Sequence, residues 1–184
     1  VEVQQQTQRI LQTGTQQRSS IYFRLACNLI RNNRIGKIQK VEVWLPAGLR
    51  QGPFKPAPVP EGFDYDFWLG PARKRPFNKN RFHFTFRWFW DYAGGMMTDW
   101  GVHIMDYALF GMQKYAPKSV MSLGGKFAYP DDACETPDTQ QAIYEFDDFT
   151  VLWDHGIGID GGYYGRSNGV GFVGNEGTLV VDRG

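Results

Sequence analysis

The sequence predicts an α+β fold: an open, mostly antiparallel β-sheet with helices packed on one face. Three observations predict it. Five short segments after residue 118 read as strands separated by turn signals, which makes an antiparallel meander. Two stretches earlier in the chain carry apolar residues at helical spacing. One alternating segment, KIQKVEVWLP, reads as a further strand. Together these give a sheet whose helices lie to one side.

Residues 1 to 20 are polar and Gln-rich, and the Ile10-Leu11 pair before Gly14 suggests a strand near residues 8 to 16 followed by a loop. Ser19 or Ser20 can cap a helix, because a serine hydroxyl accepts from the first free backbone amides. That helix is expected to reach about Asn33, to bury Phe23, Ala26, Cys27 and Ile30, and to end at Gly36. In the strand that follows, Ile38, Val41, Val43 and Leu45 supply the apolar positions. Prolines and glycines exclude regular structure from Pro46 to Gly62, and a long loop in a compact domain is often functional. DYDFWLGPA, Asp64 to Ala72, reads as one helical turn stopped by Gly70-Pro71. Residues 73 to 93, RKRPFNKNRFHFTFRWFWDYA, are basic and then aromatic, and suit the lining of an active site or interface better than a nucleic-acid surface. A helix within Gly94 to Met112 has Met96, Met97, Trp100, Ile104, Ala108 and Leu109 as its buried stripe. Beyond it come strands over Ser119 to Ala128, Gln140 to Phe146, Thr150 to Asp154, Gly169 to Gly174 and Thr178 to Val181. The turns between them include Pro130-Asp131-Asp132, Asp147-Asp148 and Asn175-Glu176-Gly177.

A chain of 184 residues with 42% hydrophobic and 21% charged residues can bury one sizeable core. Twenty basic against nineteen acidic side chains leave a net charge of +1, so neither nucleic acid nor an anionic membrane is an expected partner. Cys27 and Cys134 form no CxxC or Cys/His spacing, and Cys27 reads as a buried thiol. His83, His103 and His155 show no ligand spacing, so no metal is expected. There is no run of eighteen apolar residues and no signal peptide, and a first residue of Val suits a fragment or a processed chain.

The chemistry-bearing stretch is GGMMTDWGVHIMDYALFGM, Gly94 to Met112. On a helix, Asp99 and His103 lie one turn apart on one face. A carboxylate beside an imidazole can orient the ring, raise its basicity and help it take a proton from a hydroxyl group. The same spacing on a surface helix also describes an ordinary solvated pair. A second motif, Gly156 to Gly161, matches GxGxxG after a strand. The dinucleotide fingerprint needs a helix immediately afterwards, and Gly162 to Gly169 cannot form one. A glycine-rich hairpin connection or substrate lid bearing Tyr163, Tyr164 and Arg166 is the better reading.

QRSS at 17 to 20, NNRIGKIQKVEVW at 32 to 44, FWLGPA at 67 to 72, RWFWDYAGGMMTDWGVHIMDYALFG at 87 to 111, PDTQQAIYEF at 137 to 146 and GFVGNEGTLVVDR at 171 to 183 together resemble the second domain of Gfo/Idh/MocA oxidoreductases. The resemblance runs from about residue 9 to the end, and GG-x-x-x-DxGxHxxD is its most specific piece. It implies a glyceraldehyde-3-phosphate dehydrogenase-like C-terminal domain from an NAD- or NADP-dependent dehydrogenase acting on sugars, polyols or their relatives. Carried over by motif, Asp99 and His103 flank the reacting carbinol, with His103 as acid/base and Asp99 positioning substrate and ring. Asp106 has a structural counterpart. Arg18, Arg87, Trp88, Tyr163 and Tyr164 are the candidate substrate-binding groups. The family's Rossmann domain, with its true GxGxxG, and a Glu-Lys-Pro motif do not occur here. Residues 1–18 are therefore expected to be a strand or linker remnant and 19–184 a substrate-binding and oligomerisation domain, inactive alone. The resemblance further implies a homo-oligomer through the open sheet face and the domain's own Rossmann partner in the intact protein. It leaves open an NAD-dependent glycosidase or a non-catalytic carbohydrate-binding module.

Overall fold

A computed structural model describes residues 1–45, 50–159 and 161–183. The start of the proline-rich loop, 46–49, and the Asp160 position of the glycine motif lie outside the described residues. A short helix α1 (Glu2–Thr7) opens the chain. Residues 8–15 form no strand, and Gln16–Ser19 make a 3-10 turn instead. The expected first strand fails for a plain reason: Ile10 is 97% exposed, and one apolar pair among polar residues defines no face to bury.

Helix α2 (Ile21–Arg31) buries Phe23, Ala26, Cys27 and Ile30, as the spacing predicts. Ser20 occupies its N-cap position, yet its hydroxyl makes no capping bond. Gly36 follows at φ +70, where a Cβ would stand 2.1 Å from Asn175 Oδ1. That oxygen accepts from Lys37 N at 2.7 Å and so docks the start of the sheet onto its last turn. Strand β1 (Ile38–Leu45) leads to the long loop, and α3 (Tyr65–Leu69) is the single turn expected there, capped by Asp64, whose carboxylate accepts from Phe67 N. Helix α4 (Trp100–Met112) begins later than the pattern suggests, because Gly95–Met97 form a separate 3-10 turn and Asp99 breaks the helical path.

The remaining strands are β2 (Ser119–Gly125), β3 (Thr139–Glu145), β4 (Thr150–Gly156), β5 (Gly169–Gly174) and β6 (Thr178–Val181). Strand β2 stops before Ala128 because the amides of Phe127, Ala128 and Tyr129 turn onto the Asp138 carboxylate at 2.8–3.2 Å. The six strands run in the order β2-β3-β4-β1-β5-β6. Meander pairing holds for β2-β3-β4 and for the β5-β6 hairpin, but β1 enters between them, parallel to β4 and antiparallel to β5. Its inward residues Val41, Val43 and Leu45 are fully buried, and a strand that apolar is best satisfied at the centre.

Helices α2 and α4 pack on the face carrying Val41, Val43, Val151, Trp153, Val170 and Phe172. Gly111 permits their close approach, since a Cβ there would meet Ile30 Cδ1 at 2.8 Å and Phe172 Cζ at 3.4 Å. Glu42, Trp44, Leu152 and Asp154 alternate onto the opposite face. Met121, Leu123 and Ile143 lie on that outer face too, and remain exposed. A separate aromatic cluster of Tyr65, Leu69 and Phe77, with Phe63, Trp68 and Phe82 against it, forms between α3 and the turns that precede α4.

Candidate active site on helix α4

The site is built at the entry to α4. Gly95 sits at φ +69 against Thr136, and the hydroxyl of Thr98 accepts from Gly94 N at 2.9 Å. These contacts fold residues 94–98 into a turn that delivers Asp99 to the N-cap position of α4. Gly101 then lets the first helical turn rest on Trp153, where a Cβ would lie 3.4 Å from the indole.

Asp99 does not pair with His103 as the i, i+4 spacing suggests. Its φ of −99 and ψ of −91 are not helical, so its side chain leaves the backbone in a different direction from a residue within the helix. Asp99 Oδ1 instead meets Arg87 Nε at 3.0 Å. Arg87 is itself fixed: Nη1 donates to Phe84 O at 2.6 Å, and its guanidinium lies over the rings of Phe84 and Phe86. Two turns further along α4, Arg18 grips Asp106 in two-point fashion, Nε to Oδ2 at 2.8 Å and Nη2 to Oδ1 at 2.5 Å. That bond holds the Arg18 guanidinium firmly protonated and ties the 3-10 turn to α4. In sequence His103 falls between these two pairs, four residues after Asp99 and three before Asp106, and it is half-buried. Among the described residues, no hydrogen bond engages its imidazole.

Two residues not proposed from the sequence as site candidates, Gln17 and Arg183, complete this end of the helix beside Trp100. Arg183 stacks over Trp100 at 4.3 Å, and Gln17, with its amide oxygen turned toward Arg183, accepts from Nε at 2.8 Å and Nη2 at 3.0 Å. Gln17 and Arg183 fall in the QRSS and GFVGNEGTLVVDR segments, but their places near the two ends of the sequence say nothing of spatial contact.

The other candidates are distributed unevenly. Trp88 is buried in the main core, and its indole nitrogen has no hydrogen-bond partner among the described residues. Tyr163 and Tyr164 lie across the sheet from α4. Tyr163 donates to Asp154 Oδ2 at 2.5 Å, Tyr164 donates to Glu42 Oε2 at 2.6 Å, and both rings pack on Trp44, all on the outer face. Loss of hydration and the adjacent carboxylate push the Tyr164 phenol up to about 12, so it stays protonated. Arg18, Arg87, Asp99 and His103 therefore lie on the side of the sheet that carries α4, whereas the two tyrosines lie on the other side.

Two of the glycines of the 156–161 motif are closed in by neighbouring side chains. A Cβ on Gly158 would strike the Tyr129 hydroxyl at 2.7 Å and one on Gly156 the Ile159 side chain at 2.7 Å, so these glycines serve internal packing. A 3-10 turn at Tyr163–Gly165 follows, and the described residues from 161 to 169 form no α-helix, as the sequence leads one to expect.

Residues 42–159 match the description of the C-terminal alpha/beta domain of the Gfo/Idh/MocA oxidoreductase family. The chain belongs to that family. No curated protein is similar to this oxidoreductase domain in sequence. Among solved structures, an oxidoreductase from Thermotoga maritima superimposes with a TM-score of 0.65 at 14% identity, over 99% of this chain and 45% of its own. The WlbA dehydrogenase from Bordetella pertussis, solved with NADH and UDP-GlcNAcA, gives a TM-score of 0.57 at 18% identity, over 89% and 41%. A super-repressor mutant of Gal80p from Saccharomyces cerevisiae gives 0.58 at 14%, over 91% and 39%. The domain thus spans about two fifths of the length of the structures it matches, and at these identities the likeness is one of fold.

Proposed function

We propose that this domain binds and orients the substrate of an NAD- or NADP-dependent oxidoreductase that acts on a sugar, a polyol or a related carbinol or carbonyl. The observation that carries the reading is His103: a half-buried imidazole with no hydrogen-bond partner among the described residues, lying along α4 between the two carboxylates that Arg87 and Arg18 hold. An imidazole so placed is available to a substrate hydroxyl. In the oxidative direction it takes the hydroxyl proton, and in the reductive direction it returns one. Asp99 is held by Arg87, and its carboxylate can accept a hydrogen bond from a neighbouring substrate hydroxyl. Asp106 is committed to Arg18 and acts on the architecture.

The described residues hold no dinucleotide cradle, so the nicotinamide cofactor is bound mainly by a Rossmann domain outside them, and the domain alone is inactive. In this reading residues 1–18 are linker and 19–184 the substrate and oligomerisation unit, assembled through the outer sheet face where Met121, Leu123 and Ile143 stand exposed. The decisive experiment follows nicotinamide absorbance in the protein joined to its cofactor domain, over a panel of sugars, polyols and aryl glycosides, for wild type and His103→Ala. Absorbance that grows with a sugar and is lost in the variant supports the reading. Undiminished turnover in His103→Ala overturns the role of this helix, and aglycone release without net absorbance change makes the protein an NAD-dependent glycosidase.

A further inference from the structure

One buried titratable group takes no part in the proposed proton transfer. His155 is 2% exposed and lies with Val151 and Trp153 on the helix-bearing face of β4. Both of its ring nitrogens are engaged. Trp153 Nε1 donates to Nδ1 at 3.0 Å, and Nε2 faces Pro137 O at 3.3 Å. An indole nitrogen can only donate and a backbone carbonyl can only accept, so both partners demand one neutral tautomer, with its proton on Nε2. An imidazole kept merely to fill space would lose hydration that an apolar side chain never had, and these two bonds offset that loss.

What the two partners touch gives the ring its role. The Trp153 indole supports the first turn of α4: a Cβ on Gly101 would stand 3.4 Å from Trp153 Cη2. Pro137 follows Thr136, the buried residue against which Gly95 lies, where a Cβ would stand 2.7 Å from Oγ1. Gly95 and Gly101 bracket Asp99, and Gly95 O accepts from the amides of Thr98 at 3.2 Å and Asp99 at 3.1 Å. One imidazole therefore ties together the two supports on which the Asp99 turn rests, while its own hydrogen-bond partners lie outside that turn.

The charged groups around the ring are Asp154 on its own strand and Asp138 beside Pro137, whereas its register neighbours on β3 and β1, Gln140 and Leu45, are uncharged. Burial lowers the His155 pKa against the raising influence of Pro137 O and the two carboxylates. On protonation Nδ1 would carry a hydrogen facing the indole N–H, donor against donor, and the hold on Trp153 would be lost.

We propose that His155 is a positioning residue for the candidate site: its neutral Nε2–H tautomer holds Trp153 and Pro137 together, and through them sets the turn that presents Asp99. What Asp99 and His103 then do rests on the oxidoreductase reading. The hold on the turn does not, and it is measurable without cofactor or turnover.

Amide hydrogen exchange of the isotope-labelled protein, together with nitrogen spectra of the His155 ring, tests it. At about pH 7.5 Nδ1 is expected to be the unprotonated nitrogen. In His155→Gln the amides of Thr98 and Asp99 should exchange about fivefold faster, the worth of one hydrogen bond. The amide of Lys114, which donates to Leu109 O at the far end of α4, should keep its wild-type rate. A merely structural histidine would speed both ends alike. In the wild type, lowering the pH through the His155 titration should loosen Thr98 and Asp99 in the same way after allowance for intrinsic exchange, and this arm needs no variant to fold. A proton on Nδ1, equal acceleration at both ends of α4, or Asp99 exchange that neither His155→Gln nor the titration changes overturns the proposal. Failure of the nicotinamide assay overturns only the oxidoreductase reading.

Discussion

Gly95→Ala tests whether the turn before α4 is held by the contact described above. The residue sits at φ +69, and an added Cβ would stand 2.7 Å from both Cβ and Oγ1 of Thr136 and 3.1 Å from its Cγ2. Thr136 is only 3% exposed, and its amide donates to Trp88 O, so it has little room to withdraw. The left-handed backbone alone costs a non-glycine residue about 1 kcal/mol. Overpacking against a fixed neighbour adds about 1–3 kcal/mol, and the sum is about 2–4 kcal/mol from a total stability of about 5–15 kcal/mol. Gly62 is the internal control: its φ is +75, but nothing lies within 4 Å of a Cβ there. Gly62→Ala should therefore cost only the backbone portion, about 1 kcal/mol. Urea unfolding followed by tryptophan fluorescence measures both variants under one condition. Equal losses in the two would refute the Thr136 contact as the reason for glycine at 95. A loss below about 1 kcal/mol at 95 would refute the account of the turn altogether.

Phe172→Ala removes a fully buried ring from beneath Gly111 and should cost about 3–5 kcal/mol, seen as a large fall in the urea midpoint. Arg87→Ala breaks a pair whose partners are each about a quarter exposed (24% and 21%), so stability should fall by less than about 1 kcal/mol while turnover of the holoenzyme falls far more. A stability loss above about 2 kcal/mol would make the pair a structural one. His155 is buried, with Nδ1 accepting from Trp153 Nε1 at 3.0 Å and Nε2 facing Pro137 O at 3.3 Å, and burial lowers its pKa. Below about pH 6.5 the unfolded chain binds a proton that the folded chain refuses, so stability should fall with falling pH by up to about 1.4 kcal/mol per unit. His155→Gln should flatten that slope in unfolding curves taken between about pH 5 and 7. Asp138 has its pKa lowered by the amides of Tyr129, Phe127 and Ala128 against the opposing cost of burial. Its contribution is present above about pH 4 and lost as pH falls through the lowered folded value, and Asp138→Asn should remove that acid limb at a cost of about 1–3 kcal/mol.

Local pattern made much of the fold legible. The spacing of Phe23, Ala26, Cys27 and Ile30 placed α2 and its buried face, and alternation placed β1 and each later strand within a few residues. Those signals are read from neighbours in sequence, and they survive because burial rewards the same periodicities in any surroundings. The ends were less legible where a distant group intervened: Asp138 draws three amides away from β2, and residues 8–15 find no partner strand. The lack of an α-helix among the described residues after the glycine motif belongs with the legible part, since it follows from the local run of glycines.

The candidate site divides along the same line. By itself the sequence determined that Asp99, His103 and Asp106 come from one short stretch with glycines ahead of it, and that the preceding turns are rich in aromatics. Only the tertiary structure decided their partners. Arg87 takes Asp99, Arg18 takes Asp106 from 88 residues away, and the tyrosines of the glycine-rich loop fall on the other side of the sheet. The insertion of β1 between β4 and β5 was decided there as well. The physical reason is common to all of these: helical and strand periodicity is local, whereas an ion pair or a strand order is a choice among distant alternatives, settled when the apolar faces pack and fix which charged groups come within reach.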